Sequence, residues 1–439
     1  MIMSGKVCKI LLSALAALCI GEMARAQSGA ATGYTSYSVF GIGDISNMGS
    51  AYNKAMGGTG VAARNKKVVN YLNPASVTAR DSLSFMMDVG LYQNNIFSTQ
   101  GGNTNVVNIT NINDIVLSFP VYRSSALMFG IAPYSHTGYG FSSTITDPWL
   151  IAYSGDISTA SNGQGSLYQM FAAAGVTFWR RLSIGAEVIH YFGDISKTTT
   201  LNFTSSSFNG IQTGYNLDIA ANAFKLGLQY ERPVGRLSLC AGATYTTSAR
   251  VGGKGTVVDY QYAVGSVLTD TTRYNKYNDL GVKIASELGV GISVKNGEKW
   301  RAEIDYLMSD WSSSGMEKEI GFSNVSLRNF TTTDTRSLRA GFELTPNVND
   351  IRYYYRRCTY RAGVYHNQMY YKVDGNTISA TGVTLGVTLP VFRLANGISL
   401  TADFGQKGRL GDNLVRERYI NFTIGLNSFD LWFQKPRYN

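Results

Sequence analysis

The sequence lacks several features that would place it in a common class. After the first 26 residues it has no run of about 18 apolar residues, so no transmembrane helix is predicted. It has only three histidines and four cysteines in 439 residues, and none has the spacing of a metal site. Lys and Arg outnumber Asp and Glu by 39 to 29, but no basic run or helical stripe suggests nucleic acid as a partner. No Gly-x-Ser-x-Gly motif is present. We therefore expect neither an enzyme nor a metal or cofactor.

The first 26 residues have the layout of a secretory signal. Lys6 and Lys9 supply its positive charge, and residues 10–20 form a short apolar core. Ala24-Arg25-Ala26 then provides the small-x-small cleavage site before Gln27. The chain is therefore predicted to be exported, and basic charge on the mature protein fits contact with anionic lipid headgroups.

The main positive signal is strict alternation of apolar and polar residues in about ten stretches. In residues 300–308, apolar side chains occupy every second position and enclose Arg301, Glu303 and Asp305. A strand with a period of two places each set on one face. Many such strands after an export signal predict an all-β, outer-membrane β-barrel, with apolar side chains toward lipid and polar ones toward the lumen.

Turn positions predict about 14 antiparallel strands. Six short connections alternate with seven other, mostly longer links. Bacterial barrels have short periplasmic turns and longer outer loops, so an even number of strands places both termini in the periplasm. The predicted strands are 82–93, 113–122, 125–135, 166–178, 182–204, 214–230, 237–262, 273–294, 299–311, 334–345, 358–373, 377–392, 398–407 and 414–427.

These patterns divide the chain into four parts. Residues 1–26 are the signal peptide, and residues 27–80, which show no strand alternation, form an N-terminal segment. Residues 81–427 form the barrel, and residues 428–439 a periplasmic tail. The last strand either stops near Asn427 or continues to Phe433.

Charged residues on the inward faces are predicted to form ion pairs in the lumen. Glu303 and Asp305 lie two apart on one face, as a catalytic pair might, but basic neighbours favour the ion-pair interpretation. The inward set is Asp88, Glu187, Lys225, Arg301, Glu303, Asp305, Arg339, Glu343 and Asp403.

One motif lies in the N-terminal segment. Gly57-Gly58-Thr59-Gly60 is followed by Val61-Ala62 and not by the Lys-Ser/Thr of a phosphate-binding loop. The stretch Ala55 to Ala62, followed by Asn73-Pro74-Ala75, resembles the FadL/OmpP1/TodX family of outer-membrane transporters for hydrophobic compounds. The stretch Tyr360 to Tyr365 and the end from Leu431 to Asn439 resemble its Bacteroidetes-type branch. The residues that carry the resemblance are Gly57, Gly58, Gly60, Asn73, Pro74 and Ala75. The chain departs from that family at Ser76, where glycine is usual.

The resemblance implies passive transport of hydrophobic molecules, such as long-chain fatty acids or aromatics. The N-terminal segment would be a hatch, and solute would leave sideways through a gap at a kinked third strand. Pro133 is the candidate for the kink, because proline breaks a strand ladder. Expected partners are outer-membrane lipid and lipopolysaccharide, a hydrophobic small molecule and, during biogenesis, the barrel-assembly machinery. Two alternatives remain: a PorV-like barrel that binds or anchors components of protein secretion, and a porin for small polar solutes.

Overall fold

The computed structural model describes residues 33–80, 84–122, 124–145, 147–205, 207–263, 269–319, 321–322, 329–391, 397–412 and 414–431. The predicted signal peptide lies outside these residues, as do positions 432–439 of the predicted tail. The turn predicted from Arg393 to Gly397 is described only at Gly397.

The described chain forms one antiparallel sheet of eighteen segments. One two-residue segment, Asp44–Ile45, belongs to the N-terminal segment and not to the wall. Three wall strands are interrupted and count as two segments each, so the wall has fourteen strands. These are β1 Ser84–Gln100, β2 Asn103–Tyr122, β3 Ser125–Ile145, β4 Ile157–Phe178, β5 Leu182–Phe203, β6 Gly210–Val234, β7 Leu237–Thr246 with Ala249–Tyr262, β8 Thr269–Ile284 with Glu287–Asn296, β9 Trp300–Ser309, β10 Phe330–Thr332 with Thr335–Leu344, β11 Thr359–Val373, β12 Asn376–Pro390, β13 Gly397–Lys407 and β14 Arg416–Leu431.

The wall closes on itself because its last strand pairs with its first. The β14–β1 ladder runs from Arg416 opposite Thr99 to Leu431 opposite Ser84. A closed barrel satisfies backbone hydrogen bonds between strands, which the hydrocarbon core of a membrane requires. The predicted fourteen-stranded antiparallel barrel is confirmed, and both ends of the wall meet at the same rim.

Several strands are longer than the sequence suggested. Residues 94–111 were predicted as a loop, but they form a hairpin whose turn is Gly101-Gly102. Both glycines have positive φ, 55° and 88°, as a tight two-residue hairpin requires. The last strand continues to Leu431, so of the two predicted ends it passes Asn427 and comes close to Phe433. Strands of about twenty residues exceed the roughly ten needed to cross a bilayer, so they project beyond it.

The short helical elements all lie outside the wall. The N-terminal segment contains two 3-10 helices, Ser36–Val39 and Pro74–Thr78, and the four-residue helix α1, Ala51–Lys54. Two further helices lie in links between strands: α2, Pro148–Ser154, and α3, Tyr354–Arg357. Among the described residues, no helix has the length and apolar character needed to cross a membrane.

The predicted alternation of faces is present in the wall. Ile304 is 58% exposed on the outer surface, whereas Glu303 beside it is buried in the interior. Ile304 lies midway along β9 and is flanked by Ile292 of β8 and Ala340 of β10. The outer surface at this level is therefore apolar and faces lipid.

We expect Ile304→Arg to destabilise the barrel in a membrane by roughly 2–4 kcal/mol, because it places a cation at mid-bilayer. Folding into vesicles, followed by the heat-modifiable shift on a gel, measures this effect. Leu410→Arg is the matched control, since Leu410 is exposed in the β13–β14 link. Equal folded yields from the two variants would contradict the assignment of the lipid face.

Candidate functional site

The N-terminal segment, residues 33–80, packs against inward-facing side chains of the wall. Its middle part begins with α1, where Ser50 and Asn53 form a reciprocal capping box. The Asn53 amide also donates to the carbonyl of Thr59, at 2.9 Å. This bond folds the chain back at Gly57 and Gly58, whose φ angles of 72° and 82° favour glycine. The motif glycines therefore form a tight turn.

Two wall carboxylates hold the turn by its backbone. Asp305 Oδ2 accepts the N–H groups of Gly60 and Val61 at 2.7 and 2.9 Å. Glu303 Oε1 accepts the next N–H, that of Ala62, at 3.1 Å. Three consecutive donors thus meet two buried carboxylates, and hydrogen bonds to charged acceptors are stronger than neutral ones. Glu303 and Asp305, which the sequence predicts as lumen charges, therefore bind backbone N–H groups of the N-terminal segment.

The Asn73-Pro74-Ala75 part of the motif lies inside the barrel against strands β5 and β6. The Asn73 side chain accepts the N–H of Ala75 at 3.0 Å and so caps the second 3-10 helix. Its amide donates to the carbonyl of Val61 at 2.7 Å, which joins the two parts of the motif. All six motif residues are thereby brought into one hydrogen-bonded unit.

Wall glycines provide the space into which this unit fits. A Cβ added at Gly185 or Gly227 would come closer than 3.0 Å to Pro74 or Asn73, and one added at Gly363 would overlap the backbone at Gly57. Gly185 pairs with Gly227 across β5 and β6, so neighbouring strands share the recess. We call this set the glycine belt: Gly175, Gly185, Gly227, Gly242, Gly341, Gly363, Gly386 and Gly425, each within 3.0 Å of the N-terminal segment by the same test.

An aromatic ring fixes α1 between two cations of the wall. Tyr52 is fully buried, and the guanidinium groups of Arg301 and Arg361 lie 5.0 and 4.4 Å from its ring centroid. Arg361 also pairs with Glu343 at 2.8 Å. Cation–π contacts are strongest where water is excluded, so this stack adds to the backbone contacts that hold α1.

The wall has an interruption between β2 and β3. Their ladder runs from Tyr122 opposite Ser125 to Ile115 opposite Ile131, and no pairing between them is found further along the described strands. Residues 103–114 and 132–145 therefore border a slit, although each strand stays paired on its other side. Pro133 lies at the start of the slit, next to a register shift in the β3–β4 ladder. Proline has no N–H to donate, which is consistent with a break there.

Residues 34–46, which we call the strap, bind the free edge of β3. Asp44 and Ile45 pair with His136 and Ser135 as a short antiparallel strand. The N–H of Thr35 donates to the carbonyl of Gly138 at 3.0 Å, and that of Ser46 to the carbonyl of Tyr134 at 2.9 Å. The N-terminal segment thus supplies hydrogen bonds that β2 does not.

The strap also reaches strands that lie beyond β2, on the far side of the slit from β3. Lys407 of β13 lies 2.7 Å from Asp44 and 3.1 Å from Glu417 of β14. Glu417 in turn accepts the N–H of Ser36 at 2.6 Å, and Ser36 Oγ lies 3.4 Å from Ser98 Oγ of β1. The buried charges are paired, as burial requires. The strap therefore connects β3 with strands β1, β13 and β14 from inside.

Two wall side chains bind carbonyls in the middle of the strap. The buried Lys197 donates to the carbonyls of Val39 and Gly41, both at 3.0 Å. The Tyr370 hydroxyl lies 2.9 and 2.7 Å from the carbonyl oxygens of Phe40 and Gly43, which share its one proton. Sequence analysis missed these residues. The available signal was weak, since a lysine at an inward strand position is also expected of any polar lumen.

Two cavities lie beside the N-terminal segment. One has a volume of about 130 Å³ and touches both sides of the slit through Asn113 of β2 and Pro133 of β3. The other, of about 170 Å³, is lined in part by Tyr134, Tyr191 and Trp311. Both also contain charged side chains. Residues 45–48 line both cavities and so lie between them.

Lys54 connects α1 to the slit side of the first cavity. Its ammonium donates to the side chain of Asn113 and lies 5.2 Å from the ring centroid of Tyr92. Burial lowers the pKa of Lys54 from 10.5 to about 8, although the nearby Asp114 and Asp403 oppose the shift. The folded protein therefore binds this proton more weakly than the unfolded chain does.

Cys240 and Cys358 are buried free thiols, so they form no disulfide. Among the described residues, no group of three or more His, Cys, Asp or Glu side chains could hold a metal ion. The motif residues lie together, whereas Pro133 contributes to the slit and not to their hydrogen-bonded unit.

The fold is that of outer-membrane channels for hydrophobic compounds. TodX, a toluene transporter of Pseudomonas putida, matches with a TM-score of 0.59 at 15% identity, over 90% of this chain and all of that one. TbuX, a toluene transporter of Ralstonia pickettii, matches with 0.54 at 16% identity, over 86% of this chain and 97% of that one. A FadL homologue of Pseudomonas aeruginosa matches with 0.56 at 13% identity, over 89% and 100%. The resemblance of the sequence to FadL-type barrels is thus supported at the level of fold.

The sequence itself matches a family model over residues 7–439, and that model describes BamG. The chain belongs to the BamG family. A comparison with curated proteins finds no match.

We expect Gly363→Ala to displace the N-terminal segment while the barrel stays closed. The new methyl group would overlap the backbone at Met56 and Gly57. Trypsin cleavage after Lys54, followed by mass spectrometry, reports the displacement, and the heat-modifiable shift reports the barrel. Gly214→Ala is the matched control, because its Cβ would find no atom nearer than 3.8 Å. Equal protection of Lys54 in both variants would contradict tight docking at the belt.

We also expect a dependence on pH that comes from Lys54. A lowered pKa makes the charged form costly in the folded state, so this group favours folding more as pH rises from about 8 toward 10.5. The melting temperature in detergent at pH 7.5 and 9.5 measures the difference. Lys54→Met removes the titrating group and should reduce the rise. The same rise in both proteins would rule out Lys54 as its source.

Proposed function

We propose that the protein lets small hydrophobic molecules pass through the outer membrane, with the slit between β2 and β3 as their lateral exit. The slit is the observation that carries this proposal. It borders a cavity lined by Asn113 and Pro133, and the ladder where it begins carries the exposed apolar side chains of Ile115 and Phe129 on the outer surface. An apolar solute that moves from this cavity into lipid avoids crossing the polar interior. The shared fold with hydrocarbon channels supports the same function.

In this proposal the N-terminal segment is a hatch that closes the straight route through the barrel. The motif residues Gly57, Gly58, Gly60, Asn73, Pro74 and Ala75 hold it in place. Its contacts with Asp305 and with the glycine belt support this role, because they join it to the wall on several sides. The same contacts argue against an open porin for polar solutes. The rim with the short turns would face the periplasm.

The strap would be the movable part of the exit. It binds Gly138 of β3 at one side of the slit, and beyond β2 its residues Asp44 and Ser36 bind Lys407 of β13 and Glu417 of β14. Solute would leave when the strap separates at Ser36 from Glu417 and from Ser98 of β1. Pro133 matters here because a residue with an N–H could extend the ladder and narrow the slit.

We expect a disulfide across the strap to block uptake of toluene. Ser36→Cys with Ser98→Cys would place two thiols where the hydroxyl oxygens are 3.4 Å apart, which requires little movement. Uptake of labelled toluene by cells should fall under oxidising conditions and recover after reduction. The single variant Ser98→Cys is the control. Pro133→Val should slow uptake without reduction or oxidation.

The transport proposal fails if oxidised and reduced forms of the double variant take up toluene equally. It fails as well if a strain without the protein takes up toluene at the normal rate. Formation of the disulfide is checked by mass spectrometry, so that an unformed bond is not taken for a negative result.

The family match favours a second candidate function. The chain matches the BamG model over nearly its whole length, and the name associates this family with the barrel-assembly machinery. A barrel with an occupied lumen can act as a binding or anchoring component without transporting anything. This function resembles the accessory role in protein secretion that the sequence left open.

Depletion of the protein separates the two functions. If it serves barrel assembly, depletion lowers the amount of folded, heat-modifiable protein among other outer-membrane barrels. If it serves transport alone, those barrels stay folded and only hydrophobic uptake falls. Purification of the tagged protein in mild detergent, followed by mass spectrometry, shows whether assembly components accompany it.

A further inference from the structure

The link between β10 and β11 differs from the other turns on its rim. The turns after β2, β4, β6 and β8 contain only two or three residues, whereas this link spans residues 345–358 and includes α3. Its sequence from Ile351 to Arg357 is Ile-Arg-Tyr-Tyr-Tyr-Arg-Arg, and most of these side chains are exposed. Ile351 is 99% exposed, which is costly for an apolar side chain in water.

The arginines of this link are ordered over tyrosine rings. Arg356 lies 4.8 Å from the ring centroid of Tyr353 and 5.9 Å from that of Tyr355. Arg352 lies 5.1 Å from Tyr353, and Arg357 lies 5.1 Å from Tyr354. A guanidinium that stacks on a ring directs its N–H donors outward from its edge, where they can bind an anion.

Local hydrogen bonds hold the link in this shape. Asp350 accepts the N–H groups of Arg352 and Tyr353 at 2.9 and 2.8 Å. The N–H of Asn347 donates to the carbonyl of Arg356 at 2.8 Å, which closes the loop. The link contains three arginines and one carboxylate, that of Asp350, which pairs with Arg356. The link presents excess positive charge in a fixed arrangement.

The position of the link identifies what can reach it. Tyr360 and its ladder partner Leu344 are both exposed on the outer surface. They are the last lipid-facing residues of their strands at this rim. The Tyr360 hydroxyl donates to the carbonyl of Tyr355 at 3.0 Å, and that of Tyr354 donates to Pro390 at 3.1 Å. The arginine and tyrosine side chains thus continue the lipid-facing surface at the membrane boundary, where such residues meet headgroups.

We propose that the β10–β11 link is a binding site for anionic phospholipid headgroups of the leaflet at this rim. Arg352, Arg356 and Arg357 bind the phosphate by charge-assisted hydrogen bonds. The tyrosine rings lie at headgroup level, and Ile351 inserts among the upper acyl chains, which accounts for its exposure. This site is independent of the transport and assembly functions proposed above.

Binding of phosphatidylglycerol to the full-length mature protein in nonionic detergent tests the proposal. Native mass spectrometry gives the apparent affinity of the wild type and of the triple variant R352Q/R356Q/R357Q. We expect the variant to bind this lipid roughly a hundredfold more weakly, since each of the three basic residues near a headgroup contributes on the order of 1 kcal/mol and about 1.4 kcal/mol corresponds to tenfold. Phosphatidylcholine with the same acyl chains should bind both proteins equally. Inorganic phosphate should not compete, because the acyl chains also contribute.

The matched control replaces three exposed arginines in other turns of the same rim, R180Q/R181Q/R236Q. It should bind phosphatidylglycerol as the wild type does. Equal loss in both triple variants would overturn the site in favour of general charge. Competition by inorganic phosphate alone would overturn it in favour of a free-anion site. If lipid binding is unchanged but a protein that accompanies the wild type from membrane extracts is lost, the surface binds a protein partner instead. The heat-modifiable shift and the single variant R357Q exclude misfolding as the cause.

Discussion

Backbone hydrogen bonding is the constraint on which the rest of this structure depends. A chain in hydrocarbon must pair its N–H and C=O groups, and a closed barrel does so between strands. The ladder between β2 and β3 stops at Ile115 and Ile131, which leaves an edge of β3 without a neighbour in the wall. The strap supplies the missing partners from inside. The N-terminal segment thus lies inside the barrel and also completes the hydrogen bonding of its wall.

Inside the lumen, the N-terminal segment itself needs hydrogen-bond partners for its backbone. A mostly irregular chain brings many backbone donors and acceptors into a space with little water, and each needs a partner. Asp305, Glu303 and Lys197 provide them, and this gives the buried charges of the barrel a structural role. Glycines in the wall let the backbones approach closely enough for these bonds. Because the fit is this close, few substitutions in the glycine belt can be accommodated.

Parts of the molecule could be predicted because they depend on local pattern. Alternation with a period of two identified the faces of β9, where Ile304 points out and Glu303 in, and turn positions gave the strand count. The error at residues 94–111 has a local cause as well. The polar, asparagine-rich sequence there is typical of a loop, but strands that project beyond the membrane need no apolar face. Gly101-Gly102 is the local signal for the hairpin.

The sequence by itself determined the barrel, its faces and the motif in the N-terminal segment, because these follow from spacing along the chain. It could also point to Pro133, since the effect of proline on a ladder is local. Only the tertiary structure decided which inward charges bind backbone, that Lys407 joins Asp44 to Glu417, and that the strap joins β3 to β13 and β14. Most of those contacts join residues far apart in the sequence, from 158 positions for Lys197 and Val39 to 363 for Lys407 and Asp44. Their geometry depends on how fourteen strands close around the segment, which no local pattern records.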